Sequence, residues 1–195
     1  MDKAHLLKSI AETGYNVGFG AKKHFATYDI VEKGPGWIGF ISLACGISGL
    51  VFEELSTKVP SLILSIAGVV ALYISFYRAA EYEKAGKEIT AIYNELRDLY
   101  RSVQSDTDSQ LAAAQLSAAE ARFFGISISK QILFSDWYAH YKFFGQHQSS
   151  WINEQLNFKF WKDMVPASAK LFLVVLGMTS IIGAAFLIAR SCGLL

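Results

Sequence analysis

Residues 60–77, PSLILSIAGVVALYISFY, run for 18 positions without a charged side chain. A helix that crosses the hydrocarbon of a bilayer needs about 20 mainly apolar residues, within a working range of roughly 17 to 25. Just upstream, residues 36–52 (GWIGFISLACGISGLVF) supply 17 uncharged positions, and residues 171–189 (LFLVVLGMTSIIGAAFLIA) supply 19. Three such runs in 195 residues leave too little polar sequence to cover them in water. A helix pair buried in a soluble domain is therefore the weaker reading. Only EELSTKV (53–59) separates the first two runs, and so short a link forces antiparallel neighbours. The expected architecture is an all-α integral membrane protein in four parts. These are an N-terminal amphipathic cytosolic helix over 1–35, a transmembrane hairpin over 36–77, a cytosolic helical bundle over 78–166 and a third transmembrane helix over 167–190.

Composition agrees. Hydrophobic residues make up 52% of the chain. Charged residues make up 18%, against roughly 25% in ordinary soluble proteins. A net charge of +1 gives no broad surface for nucleic acid. Cys45 and Cys192 lie in or beside apolar runs at no metal-binding spacing and read as small packing residues. The first apolar run begins only at Gly36, so no secretory signal peptide is expected.

Cations set the orientation. Lys22, Lys23 and Lys33 precede the first run, and Arg78, Lys84 and Lys87 follow the second. The link holds only Lys58, beside Glu53 and Glu54. By the positive-inside bias, the N-terminus and the segment after Tyr77 are cytosolic, with Trp37 and Tyr77 anchoring at one membrane face. The third run then leads outward, although Lys170 and Arg190 flank it about equally. Residues 1–30 carry Leu6, Ile10 and Val17 on one stripe, interrupted by Gly14, Gly18 and Gly20. That helix either lies on the membrane surface or packs on the cytosolic bundle. Gly34-Pro35-Gly36 reads as a turn where the chain meets the membrane.

After the second run, Tyr82, Ala85, Ile89, Ile92, Leu96, Leu99 and Val103 step by alternating threes and fours. That is a heptad seam. With no Gly-Pro punctuation after Tyr77, one helix of about 45 residues is expected, on the order of 65 Å long. Ser105 or Asp108 is placed to cap the next helix, through the Ala-rich stretch at 111–124. That helix or the one after it folds back on the seam; the alternative is pairing between subunits. Residues 130–165 are rich in aromatics, among them Phe134, Trp137, Tyr138, Tyr141, Phe143, Phe144, Trp151 and Trp161. Part reads as core and part as an interfacial belt, with GQHQSS (145–150) as a turn between helices.

The chain shows no catalytic, metal-binding or cofactor pattern. His5, His24, His140 and His147 are scattered without partner carboxylates or thiols at ligand spacing. GISIS (125–129) lacks the strand context of a nucleophile elbow. No acidic residue lies inside an apolar run, so proton relays lose their usual signature. The runs instead carry small-residue stripes: Gly39, Ser42, Gly46 and Gly49 in the first, Ser61, Ser65, Gly68 and Ser75 in the second, Gly177, Ser180 and Ala184 in the third. Such stripes let helices pack closely. Alternatively, the serine face of the second run lines a pore in an oligomer.

Residues 21–103 resemble the SLATT superfamily, the SMODS- and SLOG-associating two-transmembrane effector domains. The matching features are the basic lead AKKHFATYDIVEKG, Trp37 opening the first run, the link ending in Pro60-Ser61, and the helix bearing Tyr82, Ala85, Asn94-Glu95-Leu96 and Leu99-Tyr100. The resemblance implies a non-enzymatic bacterial membrane effector without cofactors that acts in antiviral defence. It would oligomerise in the inner membrane and breach it when a nucleotide second-messenger synthetase or a nucleotide sensor responds to infection. The rival expectation is a non-conducting membrane scaffold that recruits partners through the heptad seam. A small lipid-modifying enzyme is disfavoured for want of a polar cluster.

Overall fold

The computed structural model describes residues 2–105, 109–146 and 149–191, the backbone alone at 185–189 and 191. Asp108, His147 and Cys192 therefore lie outside the described residues. Every regular element among those described is a helix. Two compact units make up the chain, residues 1–157 and 158–195.

The first unit is organised on α1, Lys3–Ser48, a single helix of 46 residues. At 1.5 Å per residue it is about 70 Å long. It runs through Pro35 without a break, so Gly34-Pro35-Gly36 is helix rather than the expected turn, and one helix carries both the expected cytosolic segment and the first apolar run. Proline removes one backbone bond and crowds the carbonyl four residues back. Packing on both sides holds the helix together there: Val31 is buried, the side chain of Ile74 lies against Gly34, and Ile38 packs on the same cluster. At its far end α1 stops at Ser48, so the last residues of the first apolar run are not helical. A short 3-10 turn, Glu53–Ser56, leads into α2, Lys58–Ser75, which packs on α1.

The second departure concerns the junction after α2. The helix breaks at Phe76–Arg78, with Arg78 extended (φ −104°, ψ 98°), and α3 restarts over Ala79–Gln104. The rod expected over 60–105 is two helices, and the long helix of this protein is α1. No glycine or proline marks the break. Tertiary burial of Tyr77 and Tyr82, described below, turns the chain there.

All seven seam residues, Tyr82, Ala85, Ile89, Ile92, Leu96, Leu99 and Val103, are buried. Their main partner is α1, with α4 (Ser109–Ile126) packing on α3 as well. The stripe of Leu6, Ile10 and Val17 on α1 is buried in the same core. The interrupting glycines are contact points. A β-carbon on Gly14 would sit 2.3 Å from the Trp151 ring, and one on Gly18 would sit 2.8 Å from Tyr93 and 2.9 Å from Phe143. Removing the side chain lets a helix and a buried ring approach closely. Trp151 lies on α6, Ser150–Leu156, and donates its indole N–H to the Tyr93 hydroxyl at 3.0 Å. Phe143 comes from α5, Ser135–Gln146, which Lys23–Asp136 (2.7 Å) and Lys142–Asp29 pin to α1.

The second unit holds a π turn, Phe160–Met164, and α7, Ala167–Ser191. Among the described residues two helices are long and apolar enough to cross a membrane, α2 over its full length and Ala167–Ala184 of α7.

Candidate functional site

Where α1 and α2 leave the buried core, one cluster joins them to the rest of the first unit. Val31, Ile74, Tyr77, Tyr82 and Ile132 form its buried centre, flanked by Tyr28, Ile30, Ile38, Ala79 and Ile128. Ile128 and Ile132 belong to the strap between α4 and α5, residues 127–134. The polar-to-apolar boundary of both helices falls here, because the uncharged run of α1 begins at Gly36 and that of α2 ends at Tyr77.

Hydrogen bonds hold the strap from three sides. Tyr82 donates its hydroxyl to the Lys130 carbonyl, and the Tyr77 hydroxyl reaches the Gln131 carbonyl at 3.5 Å. Tyr77 also shares a 2.8 Å bond with Tyr73, and the Lys130 ammonium stands 4.5 Å above the Tyr77 ring. From α1, Thr27 donates to the Gln131 side-chain carbonyl, whose amide turns back to the Ile128 carbonyl at 2.7 Å. His24 completes the set. Its Nδ1 lies 2.7 Å from the Gly20 carbonyl, and its Nε2 accepts the Ile128 backbone N–H at 3.0 Å. A backbone N–H can only donate, so Nε2 carries no proton and the buried ring is neutral. Burial lowers the His24 pKa and adjacent Lys23 adds to this, against an opposing bond to Gly20.

Nearby, burial works to raise the Asp29 pKa, but hydrogen bonds from Lys142 and Lys33 outweigh it and hold the carboxyl below its ordinary value. The site is thus a packed, hydrogen-bonded junction made of tyrosine hydroxyls, one neutral imidazole and backbone carbonyls. No group of three potential metal ligands gathers among the described residues. A separate groove of about 460 Å³ runs between α3 and α4. Its one arginine, Arg122, is already held by Glu95 at 2.6 and 3.2 Å.

The sequence-expected positions fall elsewhere. On α2 the side turned to α1 carries Pro60, Leu64, Ala67, Ala71 and Ile74, while Ser61, Ser65, Gly68 and Ser75 are exposed. Ser61, Ser65 and Ser75 donate back to carbonyls of their own turn at 2.7–3.0 Å. On α1 the half-buried side holds Ile38, Ser42 and Cys45 and continues to Gly49, just past the helix end, so the expected stripe divides: Gly39 and Gly46 are exposed, with open space around them. Sequence reading missed the strap and His24. Tyr73, Tyr77 and Tyr82 lie close together in sequence, but apart from the Tyr73–Tyr77 pair their hydroxyls bond strap carbonyls that no spacing reveals.

The architecture defines an all-helical protein in which exposed apolar helix rises from a buried helical core. Residues 1–173 match the SMODS and SLOG-associating 2TM effector domain 6. The chain belongs to this SLATT family, and the match extends beyond the 21–103 core of the resemblance to take in α4, α5, α6 and the start of α7. No curated protein and no solved structure matches it.

Proposed function

We propose that the chain is an oligomeric pore-forming effector of a prokaryotic anti-phage system, seated in the inner membrane with its N-terminus in the cytosol. In this reading the end of α1 and all of α2 cross lipid as an antiparallel hairpin. The remaining helices of the first unit form the cytosolic part, and α7 is a further span. The carrying observation is the contrast along α1 and α2. On α1 the stripe before the junction, including Leu6, Ile10, Val17, Ala21 and Val31, is buried in the core, whereas Trp37, Phe40 and Leu43 further along α1 and Leu62, Ile66 and Val69 on α2 are all exposed. Exposed apolar surface of that extent needs lipid or other copies of the chain to cover it, and the family description as a two-transmembrane effector supports lipid.

Small residues on α2 support oligomerisation through that helix. Ser61, Ser65, Gly68 and Ser75 take no part in the packing of α2 on α1, which leaves them for contacts between hairpins or for a water-filled path. The trigger is a SMODS- or SLOG-type partner, a nucleotide second-messenger synthetase or a nucleotide sensor. A signal opens the assembly only by binding its open and closed states unequally. The scaffold alternative assigned recruitment to the heptad seam, and that seam is already buried within the chain.

The deciding experiment reconstitutes the chain with its activating partner in liposomes loaded with a potassium-sensitive dye. Activation is expected to release the gradient. Replacing both Ser65 and Gly68 with leucine is expected to cut the leak at least tenfold while partner binding persists. Liposomes that stay sealed under activating conditions refute pore formation.

A further inference from the structure

We propose that the strap at the junction is also an interfacial anchor: Leu133 and Phe134 insert into the cytosolic headgroup layer of an anionic bilayer, where Arg78 and Lys130 receive lipid phosphate. This rests on the reading that α2 crosses the membrane. Depth comes first. Ile132 is packed against Ile74 and Tyr77 at the end of α2, and Lys130 stands on the Tyr77 ring, so the next two residues lie level with the end of the apolar helix.

Orientation comes second. Ile132 and Ser135 are buried at 4% and 2% exposure, and between them Leu133 and Phe134 are turned out at 65% and 58%. Two adjacent large apolar side chains on a short strap are thus held outward by the burial of their neighbours. Phe134 does this at φ 67°, in the left-handed region that residues with a β-carbon avoid. The Trp137 ring meets Phe134 edge-on at 5.5 Å, giving the pair of aromatics that sits well at a membrane–water boundary.

Charge comes third. Arg78 and Lys130, the latter three residues before Leu133 on the same strap, line a cleft of about 260 Å³ together with the carboxylate Glu81, which bonds Arg78 at 3.2 Å. Two cations against one carboxylate leave a net positive charge, which suits the phosphates of an anionic leaflet. An outward apolar pair flanked by cations at the level of the headgroups matches the chemistry of a lipid surface.

The test uses the full chain in anionic liposomes, with Cys45 and Cys192 replaced by serine and one environment-sensitive fluorophore on Phe134→Cys. Parallel chains carry the label on Val69→Cys within α2 or on Ser105→Cys at the far end of α3. Spin-labelled lipid is expected to quench positions 134 and 69, and aqueous iodide to quench 105 but not 134. Quenching by lipid at 69 together with quenching by iodide at 134 overturns the anchor and leaves the hairpin standing. Loss of lipid quenching at both positions overturns the membrane reading itself. Replacing Lys130 with glutamine, or omitting the anionic lipid, is expected to lower quenching at 134 at least twofold with no change at 69. Equal quenching in the two lipid mixtures refutes the phosphate contact.

Discussion

His24 sits with one ring nitrogen on the Gly20 carbonyl and the other on the Ile128 N–H, beside Lys23 and 6.2 Å from the Tyr82 ring. Its folded pKa lies below the ordinary 6.5, so the unfolded chain takes up a proton first as pH falls. The stability contributed by the neutral ring is therefore complete above that value and is lost progressively below it. Protonating Nε2 also sets a donor against the Ile128 N–H, at a cost of about 1–3 kcal/mol for a buried unmatched group. Thermal unfolding of the full chain in detergent is expected to shift downward between pH 7 and pH 5, and His24→Gln to flatten that shift. An equal shift in the variant would place the titration elsewhere. Phe134 makes an opposite case. Phe134→Gly relieves its left-handed backbone and is expected to leave stability unchanged or raise it by up to about 1 kcal/mol, read from the melting midpoint. At this scale little was legible in advance. A histidine in a polar stretch gives no sign of which carbonyl it will meet, because both partners come from packing between distant segments.

Among the elements, α1 differs most from its sequence reading. Its apolar stripe was legible, since Leu6, Ile10 and Val17 keep helical spacing and are all buried. Gly14 and Gly18 looked like flaws in that stripe because period-based reasoning scores a glycine as a weak helix former. In the fold they admit the Trp151, Tyr93 and Phe143 rings. Gly18→Ala is expected to cost about 1–3 kcal/mol, as overpacking against buried rings does. Gly68→Ala, in open space on α2, is expected to cost nothing measurable within a single chain. Chemical denaturation of the two variants in one detergent separates them, and equal midpoints would contradict the packing account. The break between α2 and α3 went unread for a related reason. Phe76, Tyr77 and Arg78 have no intrinsic tendency to stop a helix, so the stop comes from burying Tyr77 and Tyr82 under the strap.

For the whole molecule, the all-helical class and the apolar character of α2 and α7 follow from sequence alone, because an uncharged helical run needs no knowledge of its neighbours. How the buried core holds those helices did not follow, since the strap comes from residues more than fifty positions beyond Tyr77 and a hundred beyond His24. If the strap restrains the assembly, Tyr82→Phe, which deletes the bond to the Lys130 carbonyl, is expected to raise the resting leak of reconstituted liposomes severalfold and lower the amount of partner needed for opening. Unchanged resting leak would show that the strap fixes structure without holding the closed state. The uninterrupted course of α1 bears on how any signal is carried. Moved as one body with the core it packs in, the helix passes a displacement of its buried stretch on to the end near Ser48, with Gly34-Pro35-Gly36 as a weakened stretch between them. Sensor and bilayer would then be opposite arms of one lever, whose fulcrum lies where the strap crosses it.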